Sequence, residues 1–312
     1  MNCLIADYMH DSLQQLLLDI GVQPDYRPTI TREDILEIIS DYEGLIIRSK
    51  TRIDEEVVSK ASKLLFIARA GAGIDNLDEE AIEKRNIKIF NAPEGNRNAL
   101  GEHTLGLLLS LMNNIARSDK EVREYTWDRE GNRGYEVEGR TVALLGYGHM
   151  GGSFAKKVKG MGTRVIAYDK YKNDFSDDVV EEVSMEEVYK EADVFSIHVP
   201  LTSETKSLVD YNYISKFRKN FYLLNTSRGE VVSLDGVCKH IEEGKIIGAG
   251  LDVLENEKLK TLSEKQKKSF DYLVNSDKTL LTPHIAGWSF ESYERINEVL
   301  VGKIRGFLSK RK

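Results

Sequence analysis

The chain has 312 residues, of which 41% are hydrophobic and 30% are charged, a composition typical of a globular protein with one large or two medium domains. Its formal net charge of -7 argues against nucleic acid or an anionic membrane surface as the main partner. Cys3 and Cys238 provide neither a disulfide framework nor the spacing of a zinc site, so we expect no metal. With no signal-peptide pattern and no apolar run near the roughly 20 residues that span a bilayer, we expect a cytoplasmic protein.

The first hundred residues predict an alternation of strands and helices. Strands are predicted at residues 2–6 and in the segments GLIIRSK, LLFIARAG and IKIFNAP, with helices over 10–20, 31–40, 54–62 and 77–86. Thr31, with Asp34 three positions later, is a helix-start pattern. Strands that alternate with helices in this way indicate a parallel sheet covered on both faces.

Residues 98–127 form one long helical pattern whose first half is apolar nearly all round. Such a helix should be buried on several sides, and we expect it to cross a domain boundary or to build a dimer interface. A second alternation of strands and helices runs from TVALLG to TPHIAG near residue 287. A last helix is predicted over 289–309.

A glycine-rich turn, Gly146-Tyr-Gly148-His-Met-Gly151, lies between a predicted strand and a predicted helix. Gly146 permits a tight turn, Gly148 lets the backbone approach a pyrophosphate at the helix N-terminus, and Gly151 lets helix and strand pack closely. We expect the backbone of His149 and Met150 to face the same pyrophosphate. The arrangement predicts a dinucleotide site.

Asp169 ends the next predicted strand, RVIAYD. Its carboxylate can accept hydrogen bonds from the adenosine ribose hydroxyls and would repel a 2′-phosphate, which favours NAD over NADP. Lys170 and Lys172 follow directly and soften that preference.

Three segments further along the chain carry the chemistry that a 2-keto acid requires. Arg228 follows a hydrophobic strand, and a guanidinium can bind a carboxylate through two parallel hydrogen bonds. His284 lies in LLTPHIAG and can exchange a proton near neutral pH. A carboxylate beside this histidine would raise its pKa, and GAGLDVLENEK offers Asp252, Glu255 and Glu257 for that role. Each of these residues could also be structural.

The motifs LLGYGHMG, IHVPLTSETKSLV, NTSRGEVV and LLTPHIAG occur in this order. Together they resemble the D-isomer-specific 2-hydroxyacid dehydrogenase family over nearly the whole chain. RAGAGIDNLD and NAPEGN are also typical of the family, and with IIRSKT they look most like its D-3-phosphoglycerate dehydrogenase branch. The resemblance implies an NAD-dependent enzyme.

The resemblance also implies roles for individual residues. Arg228 would orient the carboxylate and keto oxygen of the substrate, and His284 would donate or accept the proton. Glu257, five positions after Asp252 as in the family pattern, would pair with His284, whereas Asp252 would hold the nicotinamide carboxamide. The other residues that the resemblance places along the cofactor are His198, Pro200, Thr226, Ser227, Arg228, His284, Ala286 and Gly287.

The fold that the resemblance implies has two Rossmann- or flavodoxin-like parallel-sheet α/β domains, with the active site in the cleft between them. Residues 1–97 plus 288–312 would form the substrate domain, and the NAD domain, residues 98–287, would be inserted between these segments. The backbone around Ala72 and Gly73 would bind the substrate carboxylate. We expect a homodimer.

Two features depart from the family pattern. Lys258 follows Glu257 where a proline is usual, and the lysine-rich stretch 258–268 lengthens the segment before His284. The sequence also contains no regulatory domain of the kind that binds serine, so we expect no feedback inhibition by that route.

The identity of the acid depends on cations away from the nicotinamide. Arg48, Lys50 and Arg69 could bind a phosphate, which favours D-3-phosphoglycerate and a role in serine biosynthesis, or they could pair with carboxylates of their own domain. Trp288 could instead shape a pocket for hydroxypyruvate, glyoxylate or another 2-keto acid, or make a domain contact. A more distant alternative is a co-repressor-like protein that binds NAD without turnover.

Overall fold

The computed structural model describes residues 1–311, which form two compact units. One comprises Met1–Arg97 together with the C-terminal segment from Trp288, and the other comprises Asn98–Gly287. None of the helices in this described part combines the length and the apolarity needed to cross a bilayer.

The first unit is built on a five-stranded parallel sheet with the strand order β2-β1-β3-β4-β5, the flavodoxin-like order. Its strands are β1 (Asn2–Ile5), β2 (Gln23–Tyr26), β3 (Gly44–Ile47), β4 (Phe66–Arg69) and β5 (Lys88–Asn91), and helices α1 (Ser12–Leu18), α2 (Arg32–Ile38), α3 (Glu55–Lys60) and α4 (Glu79–Lys84) connect them. The predicted helix start is confirmed, because Thr31 and Asp34 form a reciprocal capping box at α2.

One strand of this sheet, β2, was missed by the sequence analysis. Its residues, Gln-Pro-Asp-Tyr, have no apolar run, and none of them is fully buried. The strand lies at the edge of the sheet, where it pairs only with β1. An edge strand tolerates a proline and polar side chains because one side of its backbone needs no partner.

The second unit begins within α5 (Pro93–Met112), and its sheet has seven parallel strands. Its remaining elements are α6 (Ile115–Arg123), β6 (Thr141–Leu145), α7 (His149–Lys159), β7 (Arg164–Tyr168), β8 (Glu181–Glu182), α8 (Met185–Glu191), β9 (Val194–Ile197), α9 (Tyr211–Ser215), β10 (Phe221–Asn225), α10 (Leu234–Glu242), β11 (Ile246–Leu251), α11 (Glu264–Asn275) and β12 (Thr279–Leu281). The last helix of the chain, α12 (Phe290–Ser309), belongs to the first unit.

The strand order of the second sheet is β12-β11-β10-β9-β6-β7-β8. Counted from β6 as the first strand, this is the doubly wound dinucleotide-binding order with one strand added at the end. The prediction of two parallel-sheet α/β domains is therefore confirmed. The order reverses between β6 and β9, and ligands bind in the crevice beyond the strand ends at such a point.

The prediction of one long helix over residues 98–127 is wrong. The helix is interrupted between α5 and α6, where Asn114 adopts a left-handed backbone conformation with φ 53°. Asparagine enters this conformation more readily than most residues, so the pair Asn113-Asn114 can end one helix and start the next. Helix α5 buries Leu107, Leu108 and Met112, whereas α6 buries no residue.

Both faces of the first sheet are covered, as predicted. Because successive side chains of a strand point to opposite faces, Leu4 and Leu45 contribute to one apolar cluster, and Cys3 and Ile46 to the other. Helix α12 covers the second face, where its buried residues Ile296, Leu300, Val301 and Ile304 pack in the same cluster as α1. The C-terminal helix thus completes a core that begins at the N-terminus.

Candidate active site

The candidate site of the second unit lies at the carboxyl edge of its sheet. The glycine-rich turn follows β6, Asp169 follows β7, and His198 follows β9. Three further polar segments follow β10, β11 and β12 at the same edge. Because all seven strands are parallel, these segments share one edge of the sheet.

The three glycines after β6 differ in what a side chain would meet. Gly146 has φ 92°, and an added Cβ would lie 2.8 Å from the carbonyl oxygen of His198. A Cβ on Gly151 would overlap the carbonyl oxygen of Gly146, so helix α7 packs tightly against the turn. A Cβ on Gly148 would meet no protein atom within 4 Å, which leaves space for a ligand beside the backbone.

Helix α7 begins at His149, followed by Met150, and Gly148 occupies its N-cap position. No side chain caps it, and its first turn contains no acidic residue. The N–H groups of a helix N-terminus carry a partial positive charge and accept an anion there. The turn and the helix therefore fit the pyrophosphate of a dinucleotide.

Asp169 is held in place by backbone donors. Its carboxylate accepts hydrogen bonds from the N–H of Tyr147, at 2.9 Å, and of Tyr171, at 3.0 Å. It lines a cavity of about 570 Å³ together with Tyr168, Asn173, Asp174, Ser176, Glu182, Val183 and Ser184. Each carboxylate oxygen can accept further hydrogen bonds, so ribose hydroxyls fit as additional donors.

Both lysines after Asp169 have partners. The Nζ of Lys170 lies 2.6 Å from a carboxylate oxygen of Glu204. The Nζ of Lys172 donates to the carbonyl oxygen of Tyr147 at 2.6 Å. The sequence could not show that either charge is engaged.

His198 is a buried neutral residue. Burial lowers its pKa to about 3, because charging an imidazole away from water costs free energy. Its Nε2 lies 2.8 Å from the hydroxyl of Ser196, and its Nδ1 has no hydrogen-bond partner within residues 1–311. Pro200 begins the loop that follows, where its carbonyl accepts a hydrogen bond from Thr205.

The segment after β10 is organised by Asn225. The side-chain oxygen of this buried residue accepts hydrogen bonds from the N–H and hydroxyl of Ser227, and its amide nitrogen donates to the carbonyl of Arg228. Thr226 is buried as well. The guanidinium of Arg228 donates to the carbonyl of Ser227 at 2.7 Å. The turn therefore holds Arg228 at the edge of the sheet.

Asp252 is a fully buried carboxylate that binds the segment after β12. It accepts hydrogen bonds from the hydroxyl of Thr282, at 2.6 Å, and from the N–H groups of Ile285 and Ala286, both at 2.8 Å. Its own carbonyl oxygen accepts a hydrogen bond from the N–H of His284 at 2.8 Å. Asp252 therefore positions the loop that carries His284 and ends the unit at Gly287.

Two residues of α5 join this network, and the sequence analysis missed both. The Nε2 of His103 lies 3.0 Å from the hydroxyl of Thr282 and 3.5 Å from a carboxylate oxygen of Asp252. Thr104 is fully buried, and its hydroxyl lies 3.1 Å from that of Thr226. The signal in the sequence was the polar pair in LGEHTLG, which interrupts a helix that is otherwise apolar.

His284 and Glu257 form a hydrogen-bonded pair. The Nδ1 of His284 lies 2.9 Å and 3.0 Å from the two carboxylate oxygens. This hydrogen bond raises the pKa of His284 above its ordinary value, and the charges of Glu257 and Asp252 act in the same direction. Burial and the charge of Arg228 oppose the rise. The backbone at His284 has φ 56°, a conformation that costs a residue with a side chain on the order of 1 kcal/mol.

Glu255 and Glu257 have different hydrogen-bond partners. A carboxylate oxygen of Glu255 accepts a hydrogen bond from the N–H of Leu234 at 2.7 Å, which is the first residue of α10. Beyond Glu257, the side-chain oxygen of Asn256 accepts a hydrogen bond from the N–H of Lys258 at 2.9 Å. This local bond shapes the turn where the family pattern has a proline.

In the first unit, the guanidinium of Arg48 lies against two aromatic rings. Its Cζ is 3.8 Å from the ring centroid of Trp288 and 4.8 Å from that of Tyr293. Burial lowers the pKa of Arg48. Arginine stacks on aromatic faces in this way because the negative face of the ring attracts the cation. Trp288 therefore contacts Arg48, an interaction that the sequence could not reveal.

The ammonium group of Lys50 is engaged by the backbone of its own unit. It donates to the carbonyl oxygens of Pro28, at 2.8 Å, and Ile30, at 2.9 Å. It also lies 3.7 Å from a carboxylate oxygen of the buried Asp7. The guanidinium of Arg69 lies 3.4 Å from the hydroxyl of Ser49.

The segment of Ala72 and Gly73 follows β4. Both residues are partly exposed, and the carbonyl oxygen of Ala72 accepts a hydrogen bond from the side chain of Asn91 at 2.7 Å. This bond ties the loop to the end of β5.

Within residues 1–311, no group of three or more His, Cys, Asp or Glu side chains is placed to hold a metal ion.

Comparison with known proteins agrees with the geometry. Residues 105–286 match the model of the D-isomer specific 2-hydroxyacid dehydrogenase NAD binding domain. A hydroxypyruvate reductase of Thermotoga maritima is 32% identical over 300 residues, which cover 96% of each chain. A D-3-phosphoglycerate dehydrogenase of Methanocaldococcus jannaschii is 31% identical over 99% of this chain, but the match spans only 57% of that protein.

A solved structure supports the same family of dehydrogenases. The D-lactate dehydrogenase of Aquifex aeolicus, complexed with NAD and lactic acid, is 26% identical over 99% of this chain and 96% of that chain, with a TM-score of 0.83. The chain belongs to the D-isomer-specific 2-hydroxyacid dehydrogenase family. It is an NAD-dependent oxidoreductase with NAD as its cofactor.

We predict that Glu257→Gln lowers the pKa of His284. The variant removes the negative charge that stabilises the imidazolium, so the proton leaves at lower pH than in the wild type. The stabilisation of the fold by this pair is present below the ordinary histidine pKa and is lost as the pH rises through the raised pKa. NMR titration of the imidazole protons measures the shift, with His284→Asn identifying the signal among the six histidines.

Glu255→Gln is the matched control for this titration. Glu255 accepts its hydrogen bond from the backbone of α10, so its variant should leave the pKa of His284 unchanged. Equal titration curves for the wild type and Glu257→Gln would show that the pair does not set the protonation of His284.

Proposed function

We propose that this enzyme interconverts D-3-phosphoglycerate and 3-phosphohydroxypyruvate with NAD, the reaction that leads into serine biosynthesis. The observation that carries the proposal is the environment of Arg48. Within the described residues its guanidinium forms no ion pair, although burial lowers its pKa. The charge of Asp7 and the hydrogen bond with Tyr293 only partly offset this effect of burial. A partly buried cation that lacks a salt-bridging carboxylate favours the binding of an anion, and a phosphorylated acid has a second anionic group besides its carboxylate.

The three residues of the second unit would carry the chemistry. Arg228 would bind the carboxylate and the keto oxygen of the substrate through its parallel N–H donors. His284 would donate the proton to the keto oxygen during reduction and accept it during oxidation. Because Nδ1 faces Glu257, Nε2 would be the atom that exchanges this proton. Glu257 would favour the protonated form of His284.

Bound NAD supplies hydride transfer to or from the carbon that bears the oxygen. Gly146, Gly148 and Gly151, with the backbone of His149 and Met150, would cradle its pyrophosphate, and Asp169 would bind the adenosine ribose. The residues that we propose along the rest of the cofactor are His198, Pro200, Thr226, Ser227, Asp252, Ala286 and Gly287. The backbone of Ala72 and Gly73 would complete the binding of the substrate carboxylate.

Arg228→Ala should abolish turnover and leave NADH binding nearly intact. The guanidinium would act on the substrate, so its loss removes orientation and transition-state charge stabilisation, a change of about 10²–10⁴-fold in kcat/KM. Stopped-flow or initial-rate assays measure the loss, and NADH fluorescence titration measures cofactor binding. A variant that keeps most of its kcat/KM would exclude Arg228 from the substrate site.

The substrate itself is tested with wild type, Arg48→Gln and Lys50→Gln. Wild-type enzyme should reduce phosphohydroxypyruvate at least about 100-fold more efficiently than hydroxypyruvate, which is roughly 2.7 kcal/mol of discrimination. Arg48→Gln should lose most of this preference. Its kcat/KM should fall for phosphohydroxypyruvate and not for hydroxypyruvate, because only the phosphorylated acid has the second anionic group. Initial rates of NADH oxidation with phosphohydroxypyruvate, hydroxypyruvate, glyoxylate and pyruvate measure it.

Lys50→Gln decides whether the second predicted cation takes part. Its ammonium group would have to leave the carbonyl oxygens of Pro28 and Ile30 to bind a phosphate. A loss of phosphate preference in this variant would support direct contact, whereas an unchanged preference would leave Arg48 as the phosphate ligand. If the wild type has no preference for the phosphorylated acid, the proposal fails.

A second candidate function is the reduction of hydroxypyruvate or glyoxylate. It is favoured by the engagement of Lys50, which leaves fewer cations for a phosphate, and by the similarity to the Thermotoga maritima hydroxypyruvate reductase. In the same assays an unphosphorylated acid would then be the best substrate. NADH binding without consumption of any acid would instead support the co-repressor-like alternative.

We also propose that the protein is a homodimer. The segment from α6 onwards exposes large apolar side chains, namely Ile115, Val122, Tyr125, Trp127 and Tyr135. Tyr125 is 100% exposed and Trp127 is 79% exposed. Exposed aromatic residues that lie close together along the chain favour a protein interface in this segment.

Light scattering after size exclusion should therefore give twice the chain mass of 35.4 kDa. Tyr125→Ser with Trp127→Ser should shift the mass toward the monomer, because the interface would lose two large apolar contacts. Phe290→Ser, which alters a side chain that is 95% exposed elsewhere, is the control. A monomeric wild type would contradict the proposal.

A further inference from the structure

The carboxylate of Glu204 binds two residues that directly follow Asp169. One of its oxygens lies 2.6 Å from the Nζ of Lys170 and accepts a hydrogen bond from the hydroxyl of Tyr171 at 2.7 Å. The pair raises the pKa of Lys170 and lowers that of Glu204. Both groups are therefore charged over the whole neutral range.

Glu204 is presented by a turn with its own internal hydrogen bonds. The hydroxyl of Thr205 donates to the carbonyl of Pro200 at 2.6 Å and accepts from the N–H of Thr202 at 2.8 Å. The N–H of Lys206 donates to the carbonyl of Thr202 at 3.0 Å. This turn follows β9, whereas Lys170 follows β7, so the ion pair links the loops after the two strands that flank β6.

The electrostatic consequence concerns the 2′-position of the adenosine ribose. NADP differs from NAD by a phosphate there, and proteins accept this phosphate with nearby cations. The chain has two candidate cations after Asp169. Lys172 donates to the carbonyl of Tyr147, and Lys170 is neutralised by Glu204. With Glu204 present, the charges of Asp169, Lys170 and Glu204 sum to -1. Without Glu204, the charges of Asp169 and Lys170 sum to zero.

We propose that Glu204 is a second determinant of the preference for NAD over NADP, in addition to Asp169. It acts by holding the ammonium group of Lys170 away from a 2′-phosphate and by adding its own negative charge beside that position. The inference rests on the proposed binding of the adenosine ribose at Asp169, and it is independent of the identity of the acid.

The test compares the dissociation constants of NADH and NADPH by isothermal titration calorimetry on the full chain. Glu204→Ala should lower the ratio of the NADPH to the NADH dissociation constant by about fivefold, the scale of one partly screened charge, and should leave the NADH value within about twofold. Adding Lys170→Met to Glu204→Ala should restore part of the ratio, because the released cation is then removed.

The matched control is Glu181→Ala. Glu181 pairs with Arg164 at 2.8 Å, and its side chain is 54% exposed, the same fraction as that of Glu204. Arg164 lies at the opposite end of β7 from Asp169. Loss of this exposed ion pair should therefore leave the ratio unchanged, and any general effect of removing a surface glutamate would appear here.

Asp169→Ala separates the inference from the proposal on which it rests. If this variant leaves the ratio unchanged, the ribose is not bound at Asp169 and the proposed cofactor geometry fails. If Asp169→Ala lowers the ratio while Glu204→Ala behaves like Glu181→Ala, only the role of Glu204 is overturned. A ratio that does not respond to Lys170→Met in the Glu204→Ala background overturns the part assigned to Lys170.

Discussion

The burial of the Asp252 carboxylate is the constraint on which the candidate site depends. A charge removed from water must be compensated by hydrogen-bond donors, because its desolvation otherwise costs several kcal/mol. Here the donors come from Thr282, Ile285 and Ala286, which enclose His284 in the chain. Satisfying the buried anion therefore shapes the loop, and it offsets the cost of the left-handed backbone at His284.

The two carboxylates that act on His284 differ in their exposure to solvent. Asp252 is buried and bonds to backbone, so it determines where the histidine lies. Glu257 is 46% exposed and bonds to the imidazole itself, so it determines how readily the histidine is protonated. Similar groups serve different purposes because their environments differ. The two histidines differ for the same reason. Burial keeps His198 neutral, whereas the carboxylate of Glu257 raises the pKa of His284.

The architecture could be predicted from the sequence because it depends on local patterns. Alternating apolar runs and amphipathic stretches indicated both parallel sheets, and the glycine-rich turn marked the start of the dinucleotide unit. The strand β2 was missed, since an edge strand needs no apolar pattern. The break at Asn114 was missed because a single asparagine in the left-handed conformation ends a helix without a proline or glycine.

The site was only partly predictable, for a different reason. The separation of Glu257 from Glu255 came from the family pattern, because both lie on one loop and only its conformation determines which of them faces His284. The contacts of His103 with Asp252 and of Arg48 with Trp288 join residues that are more than a hundred positions apart. Sequence patterns report neighbours along an element, and they do not report which side chains meet after folding.

The split of the first unit along the chain has a consequence for biosynthesis. The ribosome releases residues 98–287 as one continuous stretch, so the seven-stranded unit can fold while the remainder is still being made. The five-stranded unit must wait for α12, which emerges only after residues 98–287. Until then Leu13 and Leu17 of α1 lack the apolar residues of α12 that share their cluster. Contacts between such distant segments close slowly, so during translation this apolar face of the N-terminal sheet stays exposed until α12 has been made.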